Sequence, residues 1–234
     1  MGRVSQAQAA QNRSRIVTTA ARLFRERGVA GVSVADVMAE AGLTHGGFYK
    51  HFASKDALVA EAVTQAFAEQ AAALDSPGSG PSGRQPGAGE ADDQRAGGPE
   101  AGGPEAFLDA YLSAAHRDRP GTGCPSAGFG GDIARAAGGE ETRRAYAAGV
   151  EGFARRLAAG GEADLAAVST MVGALLLSRA TAGTDLSDRI LAAARDALTH
   201  RDGRGPARAD GVSSAEGRSA AGSAPSPAAG NRPV

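Results

Sequence analysis

The sequence predicts an all-α protein with an N-terminal three-helix head and a C-terminal helical body. Apolar residues recur at helical spacing along much of the chain, and no segment shows the apolar–polar alternation of a confident strand. Hydrophobic residues make up 42% of the 234 residues, which is enough for a core. Aromatic residues make up only 4% and tryptophan is absent, so Ala, Leu, Val and Ile must build that core.

The head begins with a helix predicted from about Gln11 to Arg27. Its apolar face is formed by Ile16, Ala20, Leu23 and Phe24. Gly28 follows as a candidate C-cap. The second helix is predicted to start after Ser33, a favourable N-cap residue, and Asp36 stands three residues later, close to a capping-box pattern.

A third short helix is expected after a tight turn at Gly42, with Thr44 as its cap. Phe48 and Phe52 are predicted to face the interior of the head. Two short helices joined by such a turn indicate a helix-turn-helix. The second helix of this motif can enter the DNA major groove and bring its first residues against base edges.

Composition divides the chain into five segments. The head covers 1–53, a connecting helix capped by Ser54 covers 54–74, and the body covers 105–200. Residues 75–104 are predicted to be a disordered Gly/Pro-rich linker, and residues 201–234 a disordered tail. Such compositions bury too little apolar surface to offset the conformational entropy of the chain.

Within the body, the spacing of apolar residues predicts five helices. They are expected at about 105–119, 126–137, 140–159, 162–182 and 185–200. Pro120 and the pair Gly160 and Gly161 provide the breaks between them.

Charge is unevenly distributed along the chain. Residues 1–60 contain eight Lys or Arg and four Asp or Glu, a net charge of +4, whereas the whole chain carries −1. A basic head on an acidic body is expected if only the head meets DNA phosphates.

Several functional classes are disfavoured by composition. The sequence contains no run of 18 apolar residues, so we expect no membrane span. It also has no continuous apolar stretch near its N-terminus, so we do not expect secretion. A single cysteine fits a reducing cytoplasm, so we expect a cytoplasmic protein without a membrane partner. The four histidines are scattered, so we expect neither a metal site nor a cofactor.

About residues 10–65 agree in type and spacing with one family. The agreement comprises Ile16, Ala20–Phe24 and Gly28, then Val34–Thr44, then Gly47–Phe52 with Lys55 and Leu58. This segment resembles the tetracycline-repressor (TetR/AcrR) family of bacterial transcription regulators. The resemblance implies a homodimer with a DNA-binding head and a ligand-binding, dimerising body. It also implies a repressor, not an enzyme, that releases a palindromic operator when a small-molecule effector binds the body.

Phosphate contacts are expected from two groups of head residues. Tyr49, His51 and Lys55 match family positions that usually touch phosphates, and all three side chains can donate a hydrogen bond. Ser33 and Thr44 stand at predicted helix N-termini, where a hydroxyl and free N–H groups favour an anion. The alternatives are caps alone for Ser33 and Thr44, core packing for Tyr49 and a surface histidine for His51.

Base contacts are expected from His45, Gly46, Gly47 and Lys50. Lys50 can donate to guanine O6 and N7, and His45 can donate or accept at a purine edge. The two glycines allow the backbone to approach DNA closely. A solvated or phosphate-bound side chain is the alternative for Lys50.

The last two helices are the predicted dimer surface, because they carry more apolar surface than one small body can cover. The candidate residues are Leu165, Val168, Val172, Leu176, Leu186, Ile190, Ala194 and Leu198. The candidate ligand-lining residues of the body are Phe107, Tyr111, Phe129, Tyr146, Phe153, Met171 and Leu175. An ordinary intramolecular core is the alternative for members of both sets.

Cys124 carries a separate hypothesis. It precedes Pro125 at a predicted helix N-terminus, with Arg117 and Arg119 nearby in sequence, a setting that can activate a thiol as a redox or electrophile sensor. A small buried thiol is the alternative.

Two competing functions also stay open: a constitutive DNA-binding protein without an effector, and an α-helical enzyme, for which the sequence offers no catalytic constellation.

Overall fold

The computed structural model describes residues 6–75, 104–135, 137–158 and 162–202, and every regular element among them is helical. The predicted all-α class is therefore confirmed. Residues 76–103 and 203–234, which hold most of the predicted linker and tail, lie outside the described residues. Gly160 and Gly161 also lie outside them.

Nine α-helices and two 3₁₀ helices make up the described part of the chain. The α-helices are α1 (Gln6–Arg27), α2 (Val34–Glu40), α3 (Lys55–Asp75), α4 (Pro104–Tyr111), α5 (Ala114–Arg117), α6 (Pro125–Ala134), α7 (Gly139–Leu157), α8 (Leu165–Ala180) and α9 (Asp185–Asp202). The 3₁₀ helices are His45–Lys50 and Pro120–Thr122. None of the described helices is both long enough and apolar enough to cross a membrane.

The helix-turn-helix is formed by α2 and the 3₁₀ helix His45–Lys50. Ser33 caps α2 as predicted: its Oγ accepts from the Asp36 N–H at 3.1 Å, and its own N–H donates to Asp36 Oδ2 at 2.8 Å. Gly42 adopts φ +66°, and the next N–H, that of Leu43, donates to the Met38 carbonyl at 2.9 Å. A left-handed residue at this position is what turns the chain sharply, and glycine adopts it without strain.

The third head helix differs from the prediction in type and in capping. It is a six-residue 3₁₀ helix, and Thr44 occupies its N-cap position without making a side-chain capping hydrogen bond. The expected Thr44 cap is therefore not formed. Gly46 and Gly47 each weaken an α-helix by about 1 kcal/mol relative to alanine, which favours the short 3₁₀ form.

A first hydrophobic core joins the head to the connecting helix and to α6. Its largest fully or nearly fully buried residues are Ile16, Leu23, Phe24, Met38, Phe48, Leu58 and Phe129. Ser54 caps α3 as predicted, because its Oγ accepts from the Ala57 N–H at 3.1 Å. The α3 helix therefore packs with the head at one end and with body helices along its length.

A second core lies within the body. It is built mainly from Tyr111, Phe153, Met171, Leu175, Leu191 and Leu198. The helix predicted at 105–119 is divided into α4 and α5, because Ser113 caps α5 through a bond from the His116 N–H to its Oγ at 3.2 Å. The three C-terminal helices were predicted in the right order, with boundaries that differ by a few residues.

Head and body meet at Arg25, near the end of α1. Its Nη1 donates to the Gly123 carbonyl at 3.2 Å, and its Nη2 donates to Glu69 Oε2 at 3.2 Å. A Cβ at Gly128 would lie 2.7 Å from Arg25 Cγ. Glycine at this position therefore lets α6 pack directly against the arginine of α1.

Candidate nucleic-acid interface and body cavity

The recognition helix, as we call the 3₁₀ helix His45–Lys50, lies at the surface of the head. His45, Gly46 and Lys50 are exposed, and Gly47 is half-buried. Tyr49 is 68% exposed, so the core-packing alternative does not hold for it. The structure thus brings the four predicted base-contact residues and Tyr49 together on one accessible element.

Aromatic contacts hold the recognition helix against the head. Phe48 and Phe52 are buried as predicted, and their rings stack with centroids 5.4 Å apart. The Tyr49 ring meets Phe48 edge-on at 5.2 Å and His45 edge-on at 6.4 Å. The buried Phe48 thus anchors the helix in the head and gives the exposed Tyr49 ring one neighbour in the core.

Ser33 is fully engaged as a cap. Its hydroxyl donates to Asp36 Oδ2 at 2.7 Å in addition to the two capping-box bonds. The hydrogen bonds from Ser33 lower the pKa of Asp36, so this carboxylate stays ionised at the start of α2. A phosphate at Ser33 would have to compete with that negative charge.

The other predicted phosphate contacts differ in availability. Thr44 is exposed, and His51 is half-buried. Lys55 donates from Nζ to the Val29 carbonyl at 2.6 Å, and its Nζ lies 5.9 Å from the centroid of the Phe24 ring. Lys55 therefore supports the loop between α1 and α2 and would have to share its ammonium with a phosphate.

Part of the positive charge of the head is neutralised within the protein. Arg13 forms an ion pair with Glu61 and Arg25 forms one with Glu69, and both of these acids lie outside residues 1–60. Burial lowers the pKa of Arg25, which is enclosed between head and body. The formal charge of +4 therefore overstates the charge that the head presents to DNA. The exposed Lys50 supplies a correspondingly larger share of the charge that remains.

The predicted dimer residues fall into three groups. Those buried in the second core of a single chain are Val168, Ala194 and Leu198. Those half-buried beside that core are Val172 and Ile190. The exposed ones are Leu165, Leu176 and Leu186. The exposed group is joined by Leu177, which is 58% exposed and which the prediction missed.

Two of the seven predicted ligand-lining residues, Phe107 and Tyr111, line a cavity of about 190 Å³. The other five pack in the two cores and do not line this cavity: Phe129, Tyr146, Phe153, Met171 and Leu175. These five residues therefore lie in the intramolecular core, which was the alternative to a ligand-lining position. Tyr146 also has a local role, because its Oη donates to the Ser126 carbonyl at 2.8 Å.

The polar side of the cavity was not predicted. It is contributed by Arg25 of α1, by Glu69 and Gln70 of α3, and by His116 and Cys124 of the body. Arg25 contacts residues 44 and 98 positions away in sequence, so local patterns carry no signal for it. Among the described residues, no three His, Cys, Asp or Glu side chains cluster as a metal site requires.

Cys124 lines the same cavity and is 3% exposed. Its N–H donates to His116 Nε2 at 3.0 Å, and Gln70 Nε2 donates to its Sγ at 3.7 Å. Arg117, which motivated the sensor hypothesis, pairs instead with Asp188 at 2.7 Å. The position of the thiol matches the buried alternative, and any sensing reagent would have to enter the cavity.

Comparison with known sequences gives a match confined to the N-terminal part. Residues 16–62 match the family model described as bacterial regulatory proteins, tetR family. The uncharacterised HTH-type transcriptional regulator YerO of Bacillus subtilis (strain 168) is 38% identical over 52 residues. That match covers 22% of this chain and 18% of YerO.

Comparison with solved structures extends to the body. A TetR transcriptional regulator from Chloroflexus aurantiacus superposes with a TM-score of 0.56 at 22% identity, covering 85% of this chain and 98% of that one. The reduced form of NemR from E. coli gives a TM-score of 0.55 at 17% identity, covering 80% and 96%. A TetR-family regulator from Cytophaga hutchinsonii gives 0.55 at 17% identity, covering 85% and 98%. At these identities the likeness shows a common fold of helix-turn-helix head and helical body.

Proposed function

Because the chain belongs, through residues 16–62, to the tetR family of bacterial regulatory proteins, we propose that it is a ligand-responsive transcriptional regulator. In this proposal it binds a palindromic operator as a homodimer and acts as a repressor. A small molecule that enters the body releases the DNA.

The exposed recognition helix carries the proposal. It presents Lys50 and His45 beside Tyr49, while Phe48 and Phe52 hold it to the head. Base edges in the major groove are read by donors of the kind that Lys50 and His45 provide, and the Tyr49 hydroxyl can donate to a phosphate oxygen. Side chains on a rigid support can keep the geometry that such contacts need.

Dimer formation is supported by the exposed leucines of the last two helices. Leu165 and Leu176 lie eleven residues apart on α8, a spacing that returns to the same helix face. Leu177 and, on α9, Leu186 are exposed as well. Exposed apolar surface of this kind marks an interaction site, and a second copy gives the two-fold pair of heads that a palindrome requires.

A response to a small molecule is supported by the cavity and by its position. The cavity is bounded by Arg25 of the head helix α1 as well as by body residues. A molecule bound there would touch both the DNA-reading part and the body. The structure of the cavity therefore gives a physical route by which occupancy could alter the head.

The experiment is to select DNA ligands from a random library with the full chain and to measure their binding at several salt concentrations. We expect a palindromic consensus whose affinity falls as salt rises, because phosphate contacts release counterions. Absence of any preferred sequence would contradict the proposal and favour a non-specific DNA-binding protein.

Within that experiment, Tyr49→Phe tests the phosphate contact. The homodimer loses one hydrogen bond in each of its two heads, each worth about 1 kcal/mol, so binding to every DNA sequence should weaken by roughly thirtyfold, without changing the preferred bases. Tyr146→Phe is the matched control, because it removes a phenol hydroxyl from α7, outside the head. A changed consensus in Tyr49→Phe, or equal losses in both variants, would show that Tyr49 does not act through a phosphate.

A further inference from the structure

The C-terminal end of the recognition helix is tied to Phe52 by two contacts. The Phe52 ring stacks on the Phe48 ring with centroids 5.4 Å apart, and the Phe52 N–H donates to the Phe48 carbonyl at 3.1 Å. The His51 N–H donates to the same carbonyl at 2.8 Å. A displacement of Phe52 would therefore move the end of the helix that carries Tyr49 and Lys50.

The recognition helix has little stability of its own. It is a six-residue 3₁₀ helix, and its N-cap Thr44 makes no side-chain capping hydrogen bond. Hydrogen-bond geometry is poorer in a 3₁₀ helix than in an α-helix, and Gly46 and Gly47 lose more conformational entropy than other residues when they are ordered. The position of this helix therefore depends on the side chains that hold it to the head.

Arg13 of α1 lies against one of these side chains. Its Cζ is 4.4 Å from the centroid of the Phe52 ring, and Phe52 is 3% exposed. A guanidinium is planar and positively charged, so it stacks on an aromatic ring and is attracted by the negative face of that ring. Arg13 thus covers the residue on which the end of the recognition helix depends.

Glu61 of α3 fixes the direction of the Arg13 side chain. Both terminal nitrogens of Arg13 donate to the Glu61 carboxylate, and the distance from Nη2 to Oε1 is 2.6 Å. A two-point contact of this kind restricts the orientation of the guanidinium as well as its distance. Each side chain is 40% exposed, so the ion pair contributes little to the free energy of unfolding. Its main effect is to set where the guanidinium lies.

The same ion pair disfavours a phosphate contact by Arg13. A phosphate that approached the guanidinium would also approach the Glu61 carboxylate, and the two negative charges repel each other. Arg13 differs in this respect from Lys50, which is exposed on the recognition helix itself.

We propose that Arg13 and Glu61 are positioning residues for DNA reading. Glu61 holds the guanidinium over Phe52, and Phe52 restrains Phe48 and with it the recognition helix. The inference rests on the proposed function, because the element that is positioned is the one proposed to read DNA. Loss of either side chain loosens this helix and reduces discrimination between the operator and other DNA.

The first test is amide hydrogen exchange of the full chain without DNA. In Arg13→Met the N–H groups of His51 and Phe52 should exchange about twofold to fivefold faster, the factor for loss of one exposed cation–π contact. The Leu43 N–H, which is bonded to the Met38 carbonyl, should keep its wild-type rate. Arg15→Met removes an exposed arginine from the same helix and should change none of these rates.

The second test compares the affinity for the selected palindrome with the affinity for unrelated DNA. In Arg13→Met this ratio should fall about fivefold to thirtyfold, because two heads each lose one such contact. The dependence of affinity on salt should stay as in the wild type, since no phosphate contact is lost. Arg13→Lys, whose ammonium can still lie over the ring, should keep a larger ratio than Arg13→Met, and Arg15→Met should keep the wild-type ratio.

Glu61→Ala tests whether Glu61 acts through Arg13. Alone it should lower the same ratio, and in the Arg13→Met background it should have no further effect. Additive effects of the two substitutions would remove Glu61 from the proposal.

Three results with Arg13→Met would overturn the inference as a whole. They are wild-type exchange at His51 and Phe52, equally faster exchange at Leu43, which would indicate a general loss of stability, and a salt slope reduced by about 0.9 per head, which would make Arg13 a phosphate contact. Failure to select any DNA sequence with the wild type would refute the proposed function, whereas the exchange rates would still decide whether Arg13 holds the helix.

Discussion

At the scale of single residues, the two lysines of the chain have different positions. Lys55 is bound to the Val29 carbonyl and lies near the Phe24 ring, so its charge supports the head. Lys50 is exposed at the end of the recognition helix. Of the two lysines, only Lys50 can donate to a base edge without first breaking a hydrogen bond inside the protein.

We therefore predict that Lys50→Ala changes the base preference of the protein, whereas Lys55→Ala does not. Loss of a contact to guanine should reduce discrimination at one position of each half-site by about 1–3 kcal/mol. Library selection with both variants measures this directly, and Lys50→Arg should retain the guanine preference. An unchanged consensus for Lys50→Ala would assign Lys50 to phosphate or solvent instead.

Residues whose partners are close in sequence were predictable. The Ser33 cap depends on Asp36 three residues later, and the burial of Phe48 and Phe52 follows from helical spacing. Arg25 was not predictable, because its partners Glu69 and Gly123 come from distant parts of the chain. The polar side of the cavity was missed for the same reason.

At the scale of elements, the errors follow local competition between conformations. The recognition helix is 3₁₀ because two glycines weaken the α form in a six-residue segment. The break between α4 and α5 occurs at Ser113, whose hydroxyl offers the backbone an alternative to continued helix. Helix existence and order were thus readable from apolar spacing, whereas these interruptions depended on single side chains.

The junction of α4, α5 and α6 depends on a neutral histidine. His116 connects the Tyr111 carbonyl, at the end of α4, to the Cys124 N–H, which begins α6. Nε2 must be unprotonated to accept from Cys124. Burial lowers the pKa of His116, and the nearby Arg179 acts in the same direction although the bond to the Tyr111 carbonyl opposes it.

From this shift we predict an acid-sensitive fold. Below the ordinary histidine pKa of 6.5, the unfolded chain takes up a proton at His116 that the folded chain resists. The free energy of unfolding should therefore be fully retained above this pH and should decrease as the pH falls through and below it. Urea unfolding from pH 8 to pH 5 measures the effect.

The control for this prediction is His116→Gln, whose amide oxygen can accept from Cys124 without titrating. Its free energy of unfolding should vary less with pH than that of the wild type. His200→Gln, at an exposed position of α9, should behave like the wild type. Identical pH profiles for His116→Gln and the wild type would contradict the assignment.

At the scale of the whole molecule, one chain does not bury all of its apolar surface. The described helices leave four leucines exposed, Leu165, Leu176 and Leu177 on α8 and Leu186 on α9. The family resemblance and the apolar spacing both predicted that these two helices form the dimer surface. Which of their residues face outward could not be predicted, because it depends on how the second core packs. Val168 and Leu198, which share the apolar pattern, are turned inward instead.

We predict that Leu177→Glu separates the dimer. A two-fold interface would lose the burial of two leucines, each worth about 1.5–3 kcal/mol, so the dimer dissociation constant should rise by roughly a hundredfold or more. Analytical ultracentrifugation measures the mass, and binding to the selected palindrome should fall towards the affinity of a single half-site. Ala148→Glu adds the same charge at an exposed position of α7 and should leave both properties unchanged. If the Leu177→Glu variant stays dimeric and keeps full operator affinity, the dimer interface must lie on another surface. The reason is that a glutamate cannot be buried at the centre of an apolar contact without a partner.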